Sequence, residues 1–137
     1  MQYWLFKSEP SAWSWNDHIQ AGIAEWDGVR NYQANNNMKA MKIRDKGFFY
    51  HSVKEKSIVG IVEVVKQYYP DPSDASGRFG MVDLRALGSV KKPVALSEIK
   101  REPKLATLAL VRQSRLSVIP IKKDEWKILC SMAGVAP

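Results

Sequence analysis

Apolar residues fall into short runs broken by polar, proline or glycine positions, and the runs switch between strand and helix periods. Tyr3-Trp4-Leu5-Phe6-Lys7 is an aromatic run that stops at Ser8-Glu9-Pro10, which predicts a central strand ended by a proline with no amide to give to a ladder. Ser14 opens a different pattern. Its hydroxyl suits an N-cap, Asp17 supplies a capping-box acid three residues on, and Gly22 suits C′, so a short helix is expected through Trp15-Asn16-Asp17-His18-Ile19-Gln20-Ala21. Asn36 or Asn37 is expected to start a second helix running through Met38-Lys39-Ala40-Met41, followed by a buried strand at Gly47-Phe48-Phe49-Tyr50-His51. Residues 57–65 are almost entirely β-branched and carry the strongest strand pattern, with Gly60 marking a bulge or a close approach of backbone.

Residues 68–77 contain two prolines, two acids and a glycine and predict the longest loop. Strands are expected over residues 79–87 and 115–121, and a helical turn over 97–100. Residues 105–111 fit a helix or an extended segment equally well. An amphipathic helix over residues 124–132, with acids in its first turn and Gly134 at its stop, closes the chain. Short strands interleaved with short helices imply an α+β fold with a curved mixed sheet tending toward a barrel, because a doubly wound parallel sheet needs longer and more regular crossover helices. A chain of 137 residues fits one domain over 1–137.

Composition narrows the class. Hydrophobic residues at 45% and charged residues at 26% match a globular protein and exclude a disordered one. The net charge is +7 and is uneven: residues 1–68 carry nine Lys/Arg against seven Asp/Glu, residues 69–137 twelve against seven. Such a surplus attracts polyanions, nucleic acid before membrane, although scattered charge also serves solubility alone. One cysteine, Cys130, excludes an intramolecular disulfide and fits a reducing compartment. No basic leader precedes a long apolar run, and no stretch approaches ~18 apolar residues, so no membrane partner is expected and the cytoplasm, or the nucleus in a eukaryote, is the expected location. The sequence does not set the oligomeric state; a monomer is the default.

Candidate chemistry thins out quickly. Ser8, His51 and Asp71 make a triad on paper, or His51 with Ser8 or Asp71 a small nucleotide-processing hydrolase, yet no G-x-S-x-G turn exposes the serine. Two distant histidines and one cysteine give no metal spacing, and no glycine-rich phosphate loop is present, so no catalytic residue, metal or cofactor is expected. What remains is Trp26-Asp27-Gly28-Val29-Arg30-Asn31-Tyr32-Gln33-Ala34-Asn35-Asn36-Asn37, whose aromatics, cation and amides no strand or helix period places in a core. Aromatic and guanidinium planes stack on nucleobases, amides read base edges, and cations meet phosphates. The plainer alternative is that Trp26 and Tyr32 anchor a loop while Asn35 to Asn37 cap a helix. A pocket for a small polar metabolite is a third reading.

Those residues carry a resemblance. Tyr3-Trp4-Leu5-Phe6-Lys7-Ser8-Glu9-Pro10, Trp26-Asp27-Gly28-Val29-Arg30-Asn31-Tyr32-Gln33-Ala34, Phe49-Tyr50-His51-Ser52, Ile58-Val59-Gly60-Ile61, Tyr69-Pro70-Asp71-Pro72 and Arg115-Leu116-Ser117-Val118 together resemble the EVE domain family, in its order and over nearly the whole chain. The resemblance implies a PUA-like fold related to the YTH readers of methylated adenine in RNA. It also implies a pocket for a modified base in DNA or RNA, 5-methylcytosine and 5-hydroxymethylcytosine being proposed ligands of some members. Carried over by position, it puts Lys7 and Ser8 on one pocket wall and Trp26 as a stacking aromatic. Arg30, Asn31, Tyr32, Gln33 and Asn35 follow on the adjoining segment, His51 and Ser52 lie on another strand end, and Tyr69, Pro70 and Asp71 lie over the mouth. The chain departs from the family where Gln-Ala-Arg-Asn is usual and Gln33-Ala34-Asn35-Asn36 stands, and where Lys-Val-Gly-Asp is usual and Lys42-Ile43-Arg44-Asp45 stands. Asn35 in place of an arginine is expected to weaken phosphate contact or alter the base accepted.

Overall fold

The computed structural model describes residues 1–137, and its sheet is centred on the first aromatic run. β1 (Tyr3–Ser8) pairs in parallel with β3 (Lys46–His51) and antiparallel with β6 (Val118–Ile121). Past β3 the sheet continues antiparallel through β4 (Ser57–Pro70), β5 (Gly80–Ala95) and the short β2 (Ile23–Glu25), giving the order β2-β5-β4-β3-β1-β6. Around it lie α1 (Trp15–Ala21), α2 (Tyr32–Lys39), α3 (Leu96–Arg101), α4 (Ala109–Arg112) and α5 (Lys123–Ala133). This is the expected α+β arrangement, a curved mixed sheet with short helices. No helix is long and apolar enough to cross a membrane.

β1 and β3 read as continuous apolar runs because both of their faces are covered. On one face Trp126 of α5 stacks on Phe48 at 4.1 Å and on Tyr3 at 4.5 Å. On the other, Phe6 and Phe49 meet Trp26 edge-on at 5.4 and 5.5 Å. Each fully buried ring contributes roughly 1.5–3 kcal/mol relative to an exposed one. β4 shifts register against β5 at four places, and bulges of this kind bend a strand and raise its twist. Gly60 sits at one of them and is also a close approach: a Cβ there would overlap the Trp15 ring.

Local rules set α1. Asp17 N–H donates to Ser14 Oγ at 3.0 Å and Ser14 N–H to Asp17 Oδ2 at 2.9 Å, the expected capping box, and Gly22 ends the helix at φ 75°. Elsewhere the structure corrects the sequence reading. α2 starts at Tyr32, not at Asn36 or Asn37, because Asn31 is the cap and accepts from Ala34 N–H at 2.9 Å. The asparagines stay helical through tertiary bonds, Asn37 Nδ2 donating to the Val118 carbonyl at 2.8 Å and Asn35 Oδ1 accepting from Gly80 N–H at 3.0 Å. The loop expected over 68–77 starts only after Pro70, since Tyr69 and Pro70 remain paired with Met81 and Gly80. β5 runs past residue 87 to Ala95, and β6 begins at Val118 rather than at residue 115. β2 has no apolar run of its own and exists by pairing with β5. The ambiguous segment 105–111 resolves into a 3-10 turn, Pro103–Leu105, followed by α4.

Candidate functional site

The end of β1 lies beside the segment that leads into β6, with Lys7 N–H donating to the Ser117 carbonyl at 2.9 Å. β2 continues as an irregular strip from Trp26 to Arg30, whose first residue is still tied to the sheet by Trp26 N–H donating to the Val82 carbonyl at 2.7 Å. Between these segments and the turn after β1 opens a cavity of about 520 Å³. Lys7, Ser8, Glu9, Ala12 and Trp13 line one side, Ala24 to Arg30 the other, with Ser117 between.

Two indoles face this cavity in different ways. Trp26 is only 7% exposed and wedged among Phe6, Phe49 and His18, so it forms a fixed wall. Trp13 is half-buried and is fixed by its own Nε1–H, which donates to His18 Nδ1 at 3.1 Å. Because Nδ1 accepts, His18 carries its proton on Nε2 and donates to the Leu84 carbonyl at 2.8 Å. Complete burial lowers its pKa below the usual 6.5, outweighing the Leu84 bond, which raises it. A neutral imidazole therefore orients the half-buried indole.

The strip itself is held from beneath by Asp71. Its Oδ2 accepts from Gly28 N–H at 2.9 Å and from Arg30 Nη1 at 3.2 Å, and its Oδ1 accepts from the Ser73 amide at 2.8 Å and hydroxyl at 2.6 Å. Burial raises the carboxyl pKa, but the hydrogen bonds from Ser73, Gly28 and Arg30 outweigh it and hold the group at about 2. Gly28 has φ 76°, a conformation that favours glycine, so the strip turns where the carboxylate grips it. Arg30 also donates to Ser73 Oγ at 3.0 Å, which commits its guanidinium to the scaffold.

The cavity is not basic. Its lining holds Lys7 and Arg30 against Glu9, Glu25 and Asp27, and Arg30 is already paired with Asp71. Lys7, its pKa lowered by burial, donates its ammonium to the Ser114 carbonyl at 3.0 Å. That carbonyl belongs to a residue of a second, smaller cavity of about 300 Å³, lined by Asn31, Gln33, Arg112, Gln113, Ser114, Arg115 and Leu116. Chain neighbours line the two cavities, Arg30 preceding Asn31 and Leu116 preceding Ser117.

Of the residues singled out in the sequence, Lys7, Ser8, Trp26 and Arg30 line the larger cavity, and Asn31 and Gln33 the smaller. Tyr32 is 59% exposed and leans on Phe79. Asn35 lines neither cavity and is buried against the start of β5, where its amide docks the helix. His51 is buried and its Nε2 accepts from Trp15 N–H at 2.9 Å, while Ser52 N–H donates to the Ser8 carbonyl. Tyr69 donates its hydroxyl to Asp83, and Pro70 is exposed at the end of β4. The triad on paper is not assembled: Ser8 Oγ donates to the Trp13 carbonyl, and the lone pairs of both histidines are already taken. Trp13, Glu9, Glu25 and Ser117 are lining residues that the sequence reading does not single out, and Asp27 stands in its candidate segment without a role of its own. Glu9 and Ser117 stood in the family-like blocks, and Glu25 and Asp27 flank Trp26, but only the pairing of β2 with β5 turns that segment toward β1.

The EVE domain family model matches residues 2–132. The chain is 33% identical to thymocyte nuclear protein 1 of Mus musculus, the match covering 98% of this chain and 75% of the relative. Among solved structures, a protein from Agrobacterium tumefaciens superposes with a TM-score of 0.96 at 48% identity, covering 99% of this chain and 95% of that one. The human THYN1 protein, solved in complex with 5-methylcytosine-containing DNA, superposes with a TM-score of 0.90 at 31% identity and covers all of both chains.

Proposed function

The chain belongs to the EVE domain family, and from that premise we propose that it is a nucleic-acid-binding module that takes a modified base, of the 5-methylcytosine type, into the cavity between Trp13 and Trp26. The observation that carries the reading is the cavity itself: about 520 Å³, walled by two indoles held at fixed angles, within the size range of small-ligand sites. Stacking one base on an aromatic plane contributes ~1–3 kcal/mol. The exocyclic amine of a cytosine has acceptors in Glu9, Glu25 or Asp27, and carboxylates are suited to that donor. Ala12, Ala24 and Val29 offer apolar contact to a methyl group. Unstacking a base from a duplex costs a few kcal/mol, so flipped, looped or single-stranded targets are favoured. The related human protein in complex with 5-methylcytosine-containing DNA supports this ligand class. The reading is one of binding, and the accepting nitrogens of both histidines are committed to Trp13 and Trp15.

The test is titration of 5-methylcytidine and cytidine against the native chain, Trp13→Phe and Trp13→Ala. Loss of the stacking plane in Trp13→Ala should weaken nucleoside binding about 5- to 150-fold. Trp13→Phe should retain most of the affinity. Equal binding by all three chains would overturn the assignment of the pocket.

A further inference from the structure

We propose that the smaller cavity, lined by Asn31, Gln33, Arg112 and Arg115, is a phosphate site that holds the backbone of a nucleic-acid strand whose base occupies the larger cavity. The inference rests on the base-binding reading and adds a second point of attachment to it.

Charge sorting between the two cavities carries the proposal. The larger one presents three carboxylates, and of its two cations Arg30 is paired with Asp71 while Lys7 donates to a backbone carbonyl. A phosphate placed there meets net repulsion. The smaller cavity presents two arginines and no acid. Neither arginine is in an ion pair: Arg112 donates Nε–H to the Ala106 carbonyl at 2.9 Å, which fixes the side chain and leaves its terminal nitrogens available, and Arg115 has no carboxylate partner. A guanidinium fork matches two phosphate oxygens, and the side-chain amides of Asn31 and Gln33 add donors of the kind that contact phosphate and sugar. Seven residues line this cavity and only Leu116 is apolar, so it suits an ionic group and not a second base.

Continuity supplies the geometry. Arg30 and Asn31 are consecutive, as are Leu116 and Ser117, so chain neighbours line the two cavities at two points. Lys7 forms the partition, lining the first while its ammonium is bonded to Ser114 in the second. A strand that places a base between the indoles therefore has its backbone beside the arginines.

The experiment measures 5-methylcytidine and a short single-stranded oligonucleotide containing one 5-methylcytosine against the native chain, Arg112→Ala, Arg115→Ala, the double variant and Arg115→Glu, at several salt concentrations. Nucleoside affinity should be unchanged throughout. Oligonucleotide affinity should fall about tenfold for each arginine removed, and further for Arg115→Glu. The slope of log affinity against log salt should shrink by about 0.7 for each phosphate that is no longer neutralised. A double variant with native oligonucleotide affinity and native slope overturns the phosphate site. Loss of nucleoside binding by the native chain overturns the base pocket instead, and the oligonucleotide slopes still decide the phosphate site. A native chain that binds neither ligand overturns both.

Discussion

His18 is held in its neutral form by what surrounds it, accepting the Trp13 indole on one nitrogen and giving its proton to Leu84 on the other. Because its folded pKa lies below the unfolded value of 6.5, its contribution to stability is complete above pH 6.5 and is lost as the pH falls through the lowered folded pKa. Urea midpoints measured from pH 8 downward should therefore fall below pH 6.5 in the native chain. His18→Gln, which can keep both hydrogen bonds, should flatten that decline. Asp71 makes the opposite point, since it lines neither cavity and yet shapes the site. Asp71→Asn weakens the grip on Gly28, Arg30 and Ser73 and should lower stability by about 1–3 kcal/mol in denaturant unfolding, with weaker nucleoside binding although no pocket wall has changed. Neither role was legible in the sequence. Asp71 stood in a family-like block as a residue over the mouth, and nothing local says that its partners on the strip lie some forty residues away.

At the scale of elements, what was legible is what local chemistry decides. Ser14, Asp17 and Gly22 mark α1 because a capping box and a glycine stop at positive φ are made within one segment. The start of α2 was misplaced because four asparagines within seven residues offer several caps, and the tertiary bonds of Asn35 and Asn37 choose among them. β2 was invisible for the same reason, being a strand only through its neighbour β5. The sequence marks Gly60 as a bulge or a close approach, and it is both. Gly60→Ala would drive a methyl into the Trp15 ring, which is itself fixed by Nε1–H donating to Ser89 Oγ and its backbone amide donating to His51. Thermal or urea unfolding should show a loss of about 1–3 kcal/mol.

For the molecule as a whole, all six strands share one sheet and 31 buried residues form one continuous cluster. Unfolding followed by tryptophan fluorescence and by far-ultraviolet circular dichroism should give coincident transitions; two separated transitions would refute one domain over residues 1–137. The charge of +7 pointed to nucleic acid from composition alone, but composition gives no position, and the surplus is absent from the larger cavity. The buried grip of Asp71 on the strip has a consequence for how such a reader diversifies. The backbone of the strip is fixed by bonds on its inner side, while Glu25 and Asp27 project from it and are exposed. Letters of the recognition surface can thus be rewritten without loosening the page, and a library randomised at Glu9, Glu25 and Asp27 should yield folded variants with new base preferences far more often than one randomised at Gly28, Arg30 and Asp71.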